Sequence, residues 1–161
     1  MQALTPDDVQ LALDRYDLDL KLTSYDDNTA TSELAAAAIG CTVAQIAKSI
    51  CFMINKTEPV LVVASGVNTV DDRKIANILE VGRKKVRLAK AEQCIEIFGY
   101  APGGVPPVGH RQEHIRIFLD VDLQQFDNIY AAGGTANVNF GLTPDQLKLI
   151  TNGTWVDVKK D

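Results

Sequence analysis

Residues 49–65 have the sequence SICFMINKTEPVLVVAS, in which two apolar runs flank the polar turn Asn55–Pro59. Continuous apolar runs are typical of strands that are covered on both faces, because a half-exposed strand alternates apolar and polar residues. The short polar turn between the runs favours an antiparallel hairpin. We therefore expect Ser49–Ile54 and Val60–Ser65 to form a hairpin at the centre of a sheet.

Helix and strand signals alternate on both sides of this hairpin. Thr-Pro pairs at Thr5-Pro6 and Thr143-Pro144 predict helix starts, because Thr caps the first turn and Pro has a favourable φ there. The first helix should end near Asp17. Further helices are predicted at residues 32–38, 71–79 and 91–98, with a short one from Thr42, and further strands at residues 20–25, 86–88, 115–119, 129–132, 138–140 and 155–158. Hairpins outnumber strand–helix–strand units, so we predict an α+β fold: a mixed, largely antiparallel central sheet with peripheral helices.

The length and composition predict one globular domain over residues 1–161. Hydrophobic residues make up 46% and charged residues 23% of the chain, close to the average for soluble proteins. No apolar run approaches the length that spans a membrane, and the first residues show no secretion signal. The three cysteines are widely spaced and lack metal-ligand spacing, which favours reduced thiols. We therefore expect a cytoplasmic protein without a membrane partner.

The charge distribution is uneven. A net charge of −5 argues against a general nucleic-acid binder, and DNA in particular is not an expected partner. Two basic clusters nevertheless occur, and each is compatible either with a solvated surface or with a phosphate-facing patch. Their members are Arg83, Lys84, Lys85, Arg87 and Lys90 in the first cluster, and His110, Arg111, His114 and Arg116 in the second.

A loop rich in glycine and proline, GYAPGGVPPVGH, extends over Gly99–His110. Glycine allows the backbone to approach a ligand closely, and proline fixes φ and removes amide donors. The few remaining N–H groups of such a rigid loop can point at one anion or developing oxyanion. An ordinary surface turn has the same composition, so the loop alone leaves both interpretations open.

Lys48 is the main catalytic candidate, because it lies where a capped helix leads into the apolar strand. Its ammonium is costly to desolvate there unless an anion or a carbonyl group meets it, although a lysine can also extend its charge to solvent. Asp120 and Asp122 follow a strand and are expected to be solvated carboxylates rather than metal ligands. Gly133-Gly134 follows another strand, where a turn and a close ligand approach are equally compatible. Motifs of P-loop proteins, α/β-hydrolases and zinc proteases are absent.

Three of these motifs together resemble a known family. Lys48-Ser49, then Gly103–Gly109 after a helix that ends in Gly99-Tyr100, then Gly133-Gly134 occur in the order and spacing of the YbaK/prolyl-tRNA-synthetase-insertion superfamily of aminoacyl-tRNA editing domains. The resemblance extends from about Tyr25 to Val158.

This resemblance implies a trans-acting deacylase that hydrolyses the ester of a wrong amino acid on tRNA, with Cys-tRNA(Pro) or Ala-tRNA(Pro) as the expected substrate. It implies that Lys48 is required for activity and that no metal or organic cofactor takes part. The residues that it implies for substrate binding are Tyr25, Thr31, Ser49, Gly103, Gly104, Val105, Pro106, Pro107, Gly133 and Gly134. Since no Ser–His or Cys–His pair is apparent, we expect attack by water or by a substrate group, without a covalent enzyme intermediate.

The expected partners are the acceptor end of aminoacyl-tRNA and prolyl-tRNA synthetase. Cysteine-specific members of the superfamily often carry Ser where this chain has Pro106, and residues 28–31 lack their bulky aromatic side chain, so the amino acid that is removed stays open. A non-catalytic module that binds the tRNA end or a nucleotide, acting as a synthetase adaptor, is the main alternative. Hydrolysis of a small ester or amide unrelated to tRNA is a third interpretation, based on the loop alone.

Overall fold

Eight strands form one mixed sheet in the computed structural model, which describes residues 1–161. The strands are β1 (Thr23–Ser24), β2 (Ile46–Ile54), β3 (Glu58–Ser65), β4 (Val86–Leu88), β5 (Arg116–Asp120), β6 (Ile129–Ala132), β7 (Val138–Leu142) and β8 (Thr154–Val156). Their order is β1-β7-β6-β2-β3-β5-β8, and β4 pairs with β2 beside this path. The pairs β2–β6, β3–β5 and β5–β8 are parallel and the others antiparallel, so the predicted α+β fold is confirmed.

The predicted hairpin forms the centre of the sheet. Strands β2 and β3 pair from Ala47 opposite Ser65 to Ile54 opposite Glu58. Alternate residues of β3 supply two cores: Leu61 and Val63 belong to a large cluster on one face, and Val60 and Val62 to a smaller one on the other, with Ile75. Each of these five side chains is 0% exposed. Complete burial of such a side chain stabilises the fold by about 1.5–3 kcal/mol, which explains why the apolar run lacks alternation.

Helices cover both faces of the sheet. They are α1 (Pro6–Asp14), α2 (Ser32–Ile39), α3 (Asp72–Leu79), α4 (Ala91–Gln93, continued by the π-helical turn Cys94–Phe98) and α5 (Pro144–Thr151), with 3-10 turns at Val43–Gln45, Arg83–Lys85 and Val121–Gln125. None of these helices has the length and apolar character needed to cross a membrane.

Several boundaries differ from the sequence predictions. Helix α1 ends at Asp14 rather than near Asp17, and only two residues of the predicted strand 20–25 are paired. The helix predicted from Thr42 is a single 3-10 turn that ends at Gln45. Strand β2 therefore begins three residues earlier than predicted, and Lys48 lies inside the strand rather than at its mouth.

One edge of β2 has two different neighbours. Strand β6 pairs with the beginning of β2, up to Ala47 opposite Ala131, and β4 pairs with its end, from Phe52 opposite Leu88. Residues 48–50 have no strand partner on this side. This gap in the sheet is where the candidate site lies.

Candidate active site

A cavity of about 120 Å³ opens at the gap beside β2. Its walls come from β2, from the segment that leads into α2, from the glycine–proline loop and from the β6–β7 pair. Five of the predicted site residues line it: Thr31, Lys48, Ser49, Gly103 and Val105. Lys48 and the loop, which are about 55 positions apart in the chain, therefore meet at one cavity.

Lys48 is half-buried, and its Nζ lies 3.5 Å from the carbonyl oxygen of Gly66. Burial lowers the pKa of Lys48 below its ordinary value, because desolvation penalises the ammonium, and the negative charges of Glu33 and Asp120 oppose this effect. A contact of 3.5 Å is at the limit of a hydrogen bond. The ammonium thus keeps donor capacity for a ligand in the cavity.

The Gly66 carbonyl is held in place by its surroundings. The Gly66 amide donates to Ile46 O at 2.8 Å, and a Cβ at this position would lie 2.3 Å from Val43 O. The Asp120 carboxylate accepts hydrogen bonds from the amide of Ser65 at 3.0 Å and from Asn68 Nδ2 at 2.8 Å. Asp120 is 1% exposed, which corrects the prediction of a solvated carboxylate. It fixes the end of β3, and hence the partner of Lys48.

The glycine–proline loop is rigid for reasons that the structure makes specific. Buried Tyr100 donates from its hydroxyl to Gly109 O at 2.8 Å, and burial raises the pKa of Tyr100 to about 12. His110 Nε2 lies 2.7 Å from Pro106 O, and burial lowers the pKa of His110 below its ordinary value. Neither the Gly103 nor the Val105 amide has a backbone acceptor. Both residues line the cavity, and their amides are not used by the backbone.

Two glycine contacts join this loop to other segments. Gly103 adopts a φ of +89°, and a Cβ there would lie 3.0 Å from the Cβ of Ala30 on the opposite wall of the cavity. The Gly134 amide donates to Gly104 O at 2.9 Å, and a Cβ on Gly104 would lie 2.9 Å from Gly134 O. The loop therefore approaches both neighbours closely enough to exclude side chains.

Two polar atoms at the cavity have no partner. Ser49 Oγ and Asn139 Oδ1 are buried and make no hydrogen bond, whereas Asn139 Nδ2 donates to Ala131 O at 3.2 Å. A buried polar atom left unpaired costs about 1–3 kcal/mol, so such atoms at a cavity indicate ligand contacts. Asn139 was missed by the sequence analysis, because a single polar residue between Val138 and Phe140 fits ordinary strand alternation.

The backbone of Ser49 is also directed to the cavity. The Cys51 carbonyl accepts from the Ala89 amide at 2.9 Å on the β4 side, whereas the Ile46 carbonyl accepts from Gly66 on the β3 side. Backbone groups of alternate residues point to the same edge of a strand. The N–H and C=O of Ser49 therefore point into the gap, where neither β4 nor β6 pairs with them.

Six predicted site residues do not line the cavity: Tyr25, Gly104, Pro106, Pro107, Gly133 and Gly134. Pro106 and Pro107 are buried members of the glycine–proline loop, and the Tyr25 amide donates to Asn137 O. Gly133 and Gly134 form the β6–β7 turn, where a Cβ on Gly133 would meet Val138 at 2.8 Å. Their close approach is to backbone and core rather than to the cavity, whose wall is Ala132 instead.

No thiol or imidazole lines the cavity. Cys51 and Cys94 are buried in the large core. The pKa of Cys51 is raised mainly by a hydrogen bond with Cys94 and secondly by burial. His114 is exposed, and His110 is occupied by the loop. A Ser–His or Cys–His nucleophile is therefore not part of this site.

The fold superposes over its whole length on the crystal structure of a protein provisionally named as a trans-editing enzyme for prolyl-tRNA synthetase. The TM-score is 0.90, the identity is 34%, and the alignment covers 100% of both chains. The chain belongs to the aminoacyl-tRNA editing domain family, whose model matches residues 26–149.

Two curated relatives are similar to this chain over most of its length. The chain is 32% identical over 141 residues to the uncharacterized protein YwhH of Bacillus subtilis, and the match covers 87% of each protein. It is 26% identical over 135 residues, or 84% of its own length and 80% of the relative, to EbsC of Enterococcus faecalis. EbsC is provisionally named as a Cys-tRNA(Pro)/Cys-tRNA(Cys) deacylase.

Proposed function

We propose that this protein is a trans-acting deacylase that removes a small wrong amino acid, alanine or cysteine, from tRNA for proline. The observation that carries the proposal is the convergence of Lys48, the unpaired loop amides and two unpartnered polar side-chain atoms on one cavity. Family membership and the names of two relatives support the same reaction. Prolyl-tRNA synthetase is the proposed source of the mischarged substrate.

The size of the cavity favours a small aminoacyl group. Its volume of about 120 Å³ corresponds to a few small heavy atoms. For comparison, an engineered protein cavity of about 150 Å³ is just able to hold benzene. A cavity of this size favours small aminoacyl groups such as alanyl, seryl and cysteinyl, with the adenosine outside it.

The polar groups at the cavity can divide the work of ester hydrolysis between them. The Lys48 ammonium and the amides of Gly103 and Val105 are donors for the oxyanion that forms on the ester carbonyl. Asn139 Oδ1 is an acceptor for a substrate donor, either the amino group of the aminoacyl moiety or a ribose hydroxyl. Each contact fixes the orientation of the ester as well as its charge.

The chemical step needs no group from the protein to become covalently attached. The oxygen of a water molecule attacks the carbonyl carbon, and the bond from that carbon to the ribose oxygen breaks. The ribose oxygen takes up a proton that the water releases, so the products are the free amino acid and the intact tRNA. If a cysteinyl thiol attacks instead of water, the same carbon–oxygen bond breaks, the ribose oxygen takes up the thiol proton, and water then hydrolyses the cyclic thioester to the free amino acid.

A deacylation screen tests the proposal. Wild-type protein is mixed with Ala-, Cys-, Ser- and Pro-tRNA(Pro), and the release of each amino acid is measured. We expect release of one or two small amino acids and retention of proline. Lys48→Ala should reduce the release by about 100-fold or more, since a lost oxyanion donor typically costs two to three orders of magnitude.

A matched variant separates catalysis from general charge effects. Lys160→Ala removes one exposed lysine from the C-terminal segment, outside the cavity, and should leave the rate unchanged. Binding of all four tRNAs without turnover would instead indicate the non-catalytic module. Full activity of Lys48→Ala would refute the role proposed for this lysine.

A further inference from the structure

A second concavity, the basic groove, lies near the other end of β2. It has a volume of about 810 Å³ and is lined by five cationic side chains and by no carboxylate. The cations are Lys56, Lys84, Lys85, Arg87 and Lys90, and all five residues are exposed. This is an unusual concentration of positive charge on a chain whose net charge is −5.

The backbone beneath these cations is held by hydrogen bonds. The Asn55 amide in the β2–β3 turn donates to Lys85 O at 3.0 Å, which joins the turn carrying Lys56 to the 3-10 turn Arg83–Lys85. Arg87 lies opposite Met53 in the β2–β4 ladder. The charges therefore occupy fixed positions relative to the sheet, although their side chains extend into solvent.

None of the five cations forms a salt bridge. Four lysine and arginine residues elsewhere are paired with carboxylates, among them Arg83 with Asp72 at 3.0 Å and Lys74 with Asp157 at 2.9 Å. Uncompensated like charges repel one another, and a bound polyanion relieves that repulsion. The five cations thus form a local site for an anion with several charges.

The groove and the cavity lie along the same edge of β2. Lys90 follows Ala89, whose amide donates to Cys51 O, and Arg87 is opposite Met53. At about 3.3 Å per residue, these positions lie about 10 Å and about 17 Å along β2 from Lys48. Met53 and Lys48 are an odd number of residues apart on β2, so Arg87 projects from the face of the sheet opposite to that of Lys48. A strand of RNA with its last nucleotide at the cavity would pass around the gap at residues 48–50 to place its preceding phosphates in the groove.

We infer that the basic groove binds the phosphodiester backbone of the acceptor end of tRNA while the aminoacyl ester occupies the cavity. This inference rests on the proposed function and assigns the affinity for RNA to a surface separate from the catalytic cavity. The second predicted basic cluster differs: the concavity of about 740 Å³ beside it also holds the carboxylate of Glu113, Arg111 donates to Gln2 O, and Arg116 stacks on Phe118. A concave groove with few apolar side chains also fits an RNA backbone better than a membrane surface, which favours inserted apolar side chains.

Charge removal in two places tests the inference. The groove variant Lys84→Gln/Lys85→Gln/Arg87→Gln is compared with the control variant Arg15→Gln/Arg73→Gln/Lys160→Gln, which removes three exposed, unpaired cations outside the groove. The probe is an RNA hairpin without an attached amino acid, which contains the acceptor stem and single-stranded 3′ end of tRNA(Pro). Its Kd is measured by fluorescence anisotropy between 50 and 200 mM salt. The same proteins are assayed on the alanylated hairpin and on alanyl-adenosine, which reaches only the cavity.

We expect the groove variant to raise the Kd on the order of tenfold at the lowest salt concentration. The slope of log K against log salt concentration should decrease in magnitude by about 2, since three cations are removed and each single-stranded phosphate contact contributes about 0.7 to the slope. Its kcat/KM should fall similarly on the alanylated hairpin and stay unchanged on alanyl-adenosine. The control variant should resemble wild type in all three assays.

Equal losses in the two variants would overturn the inference, because net charge alone would then explain binding. It would also be overturned by unchanged RNA affinity in the groove variant, including the case in which that variant loses binding to anionic phospholipid vesicles instead. Failure of the proposed function looks different. The wild type would then bind the hairpin through the groove and hydrolyse neither ester.

Discussion

The cavity and the basic groove are both cationic, both border the same edge of β2, and differ in almost every other physical respect. The cavity holds one lysine, half-buried, in about 120 Å³. The groove holds five exposed cations in about 810 Å³. Screening by solvent and salt weakens an exposed charge, whereas a partly desolvated charge is screened less and acts more strongly on the groups beside it.

This difference supports the two roles that we propose, catalysis at the cavity and RNA binding at the separate surface of the groove. A desolvated ammonium is costly to the fold and useful where charge develops on a few atoms. Exposed cations cost the fold little and supply affinity that varies with salt. Changes in the cavity should therefore alter the rate without altering RNA affinity, and changes in the groove should do the opposite.

Replacement of Lys48 by Met should give the largest effect. We expect kcat/KM on alanyl-adenosine to fall by about 100-fold or more, because the oxyanion loses a donor. The Kd of the hairpin without an attached amino acid should change by less than about twofold, since Lys48 is a single charge outside the groove. Parallel kinetic and anisotropy measurements on wild type and variant check both values, and a tenfold weaker Kd would contradict the separation of these two roles.

The same variant tests the cost of the buried charge. Because burial lowers the pKa of Lys48 in the folded state, the unfolded chain binds more protons between that lowered pKa and the ordinary value near 10.5. Wild-type stability attributable to Lys48 should therefore rise with pH through this window, and Lys48→Met should lack this rise. Its free energy of unfolding at pH 7, measured by urea denaturation, should not be lower than that of wild type.

Gly103 lines the cavity and Gly82 precedes the basic turn Arg83–Lys85, so their alanine variants compare the two regions. Gly103→Ala places a side chain at a φ of +89° and 3.0 Å from Ala30, so the free energy of unfolding should fall by about 1–2 kcal/mol. Gly82 precedes the basic turn with a φ of −67°, and a Cβ there would have no other atom within 4 Å, so Gly82→Ala should stay within about 0.5 kcal/mol. Urea denaturation measures both. Equal losses would contradict the close approach at the cavity.

His110 should give the smallest effect, confined to acidic pH. Burial lowers its pKa in the folded state, so the unfolded chain takes up a proton first as the pH falls. The stability that neutral His110 contributes is fully present above about pH 6.5 and declines as the pH falls below that value toward the lowered pKa. Denaturation of wild type and His110→Gln between pH 7 and 5 should show this decline in wild type alone.

A histidine outside the loop provides the control for that experiment. His114 is exposed and adopts a left-handed φ of 61°, a conformation that Asn tolerates. His114→Asn should retain the wild-type decline. Loss of the decline in this variant would assign it to a group other than His110.

The sequence was sufficient to predict the elements whose local pattern and burial agree. The central hairpin follows from its two apolar runs, and α2 follows from its alanines and the Gly40 that ends it with a φ of +86°. The short strand β1 is an edge strand of two exposed residues, so its position depends on its partners Asn139 and Val138 rather than on its own pattern.

The site was predictable only where the family resemblance supplied the long-range information. Nothing local to Lys48 or Gly103 indicates that they meet. Asp120 illustrates the reason, because its burial depends on the parallel pairing of β5 with β3. Its partner Ser65, whose amide donates to the Asp120 carboxylate, lies 55 residues away in the chain. Asn139 illustrates it again, since its buried position depends on its partners in the sheet, Thr23 of β1 and Ala132 of β6.

The smallness of the cavity has a consequence for fidelity. A compartment that admits only short side chains sorts by exclusion, so it needs neither an energy source nor a contact that identifies the correct residue. One methylene group changes the fit to such a compartment by about 1–3 kcal/mol, or a factor of roughly 10–200. If the proposed function holds, size exclusion would lower the rate of hydrolysis of correctly charged Pro-tRNA(Pro) only by such a factor. Any further accuracy would have to come from a short lifetime of free Pro-tRNA(Pro).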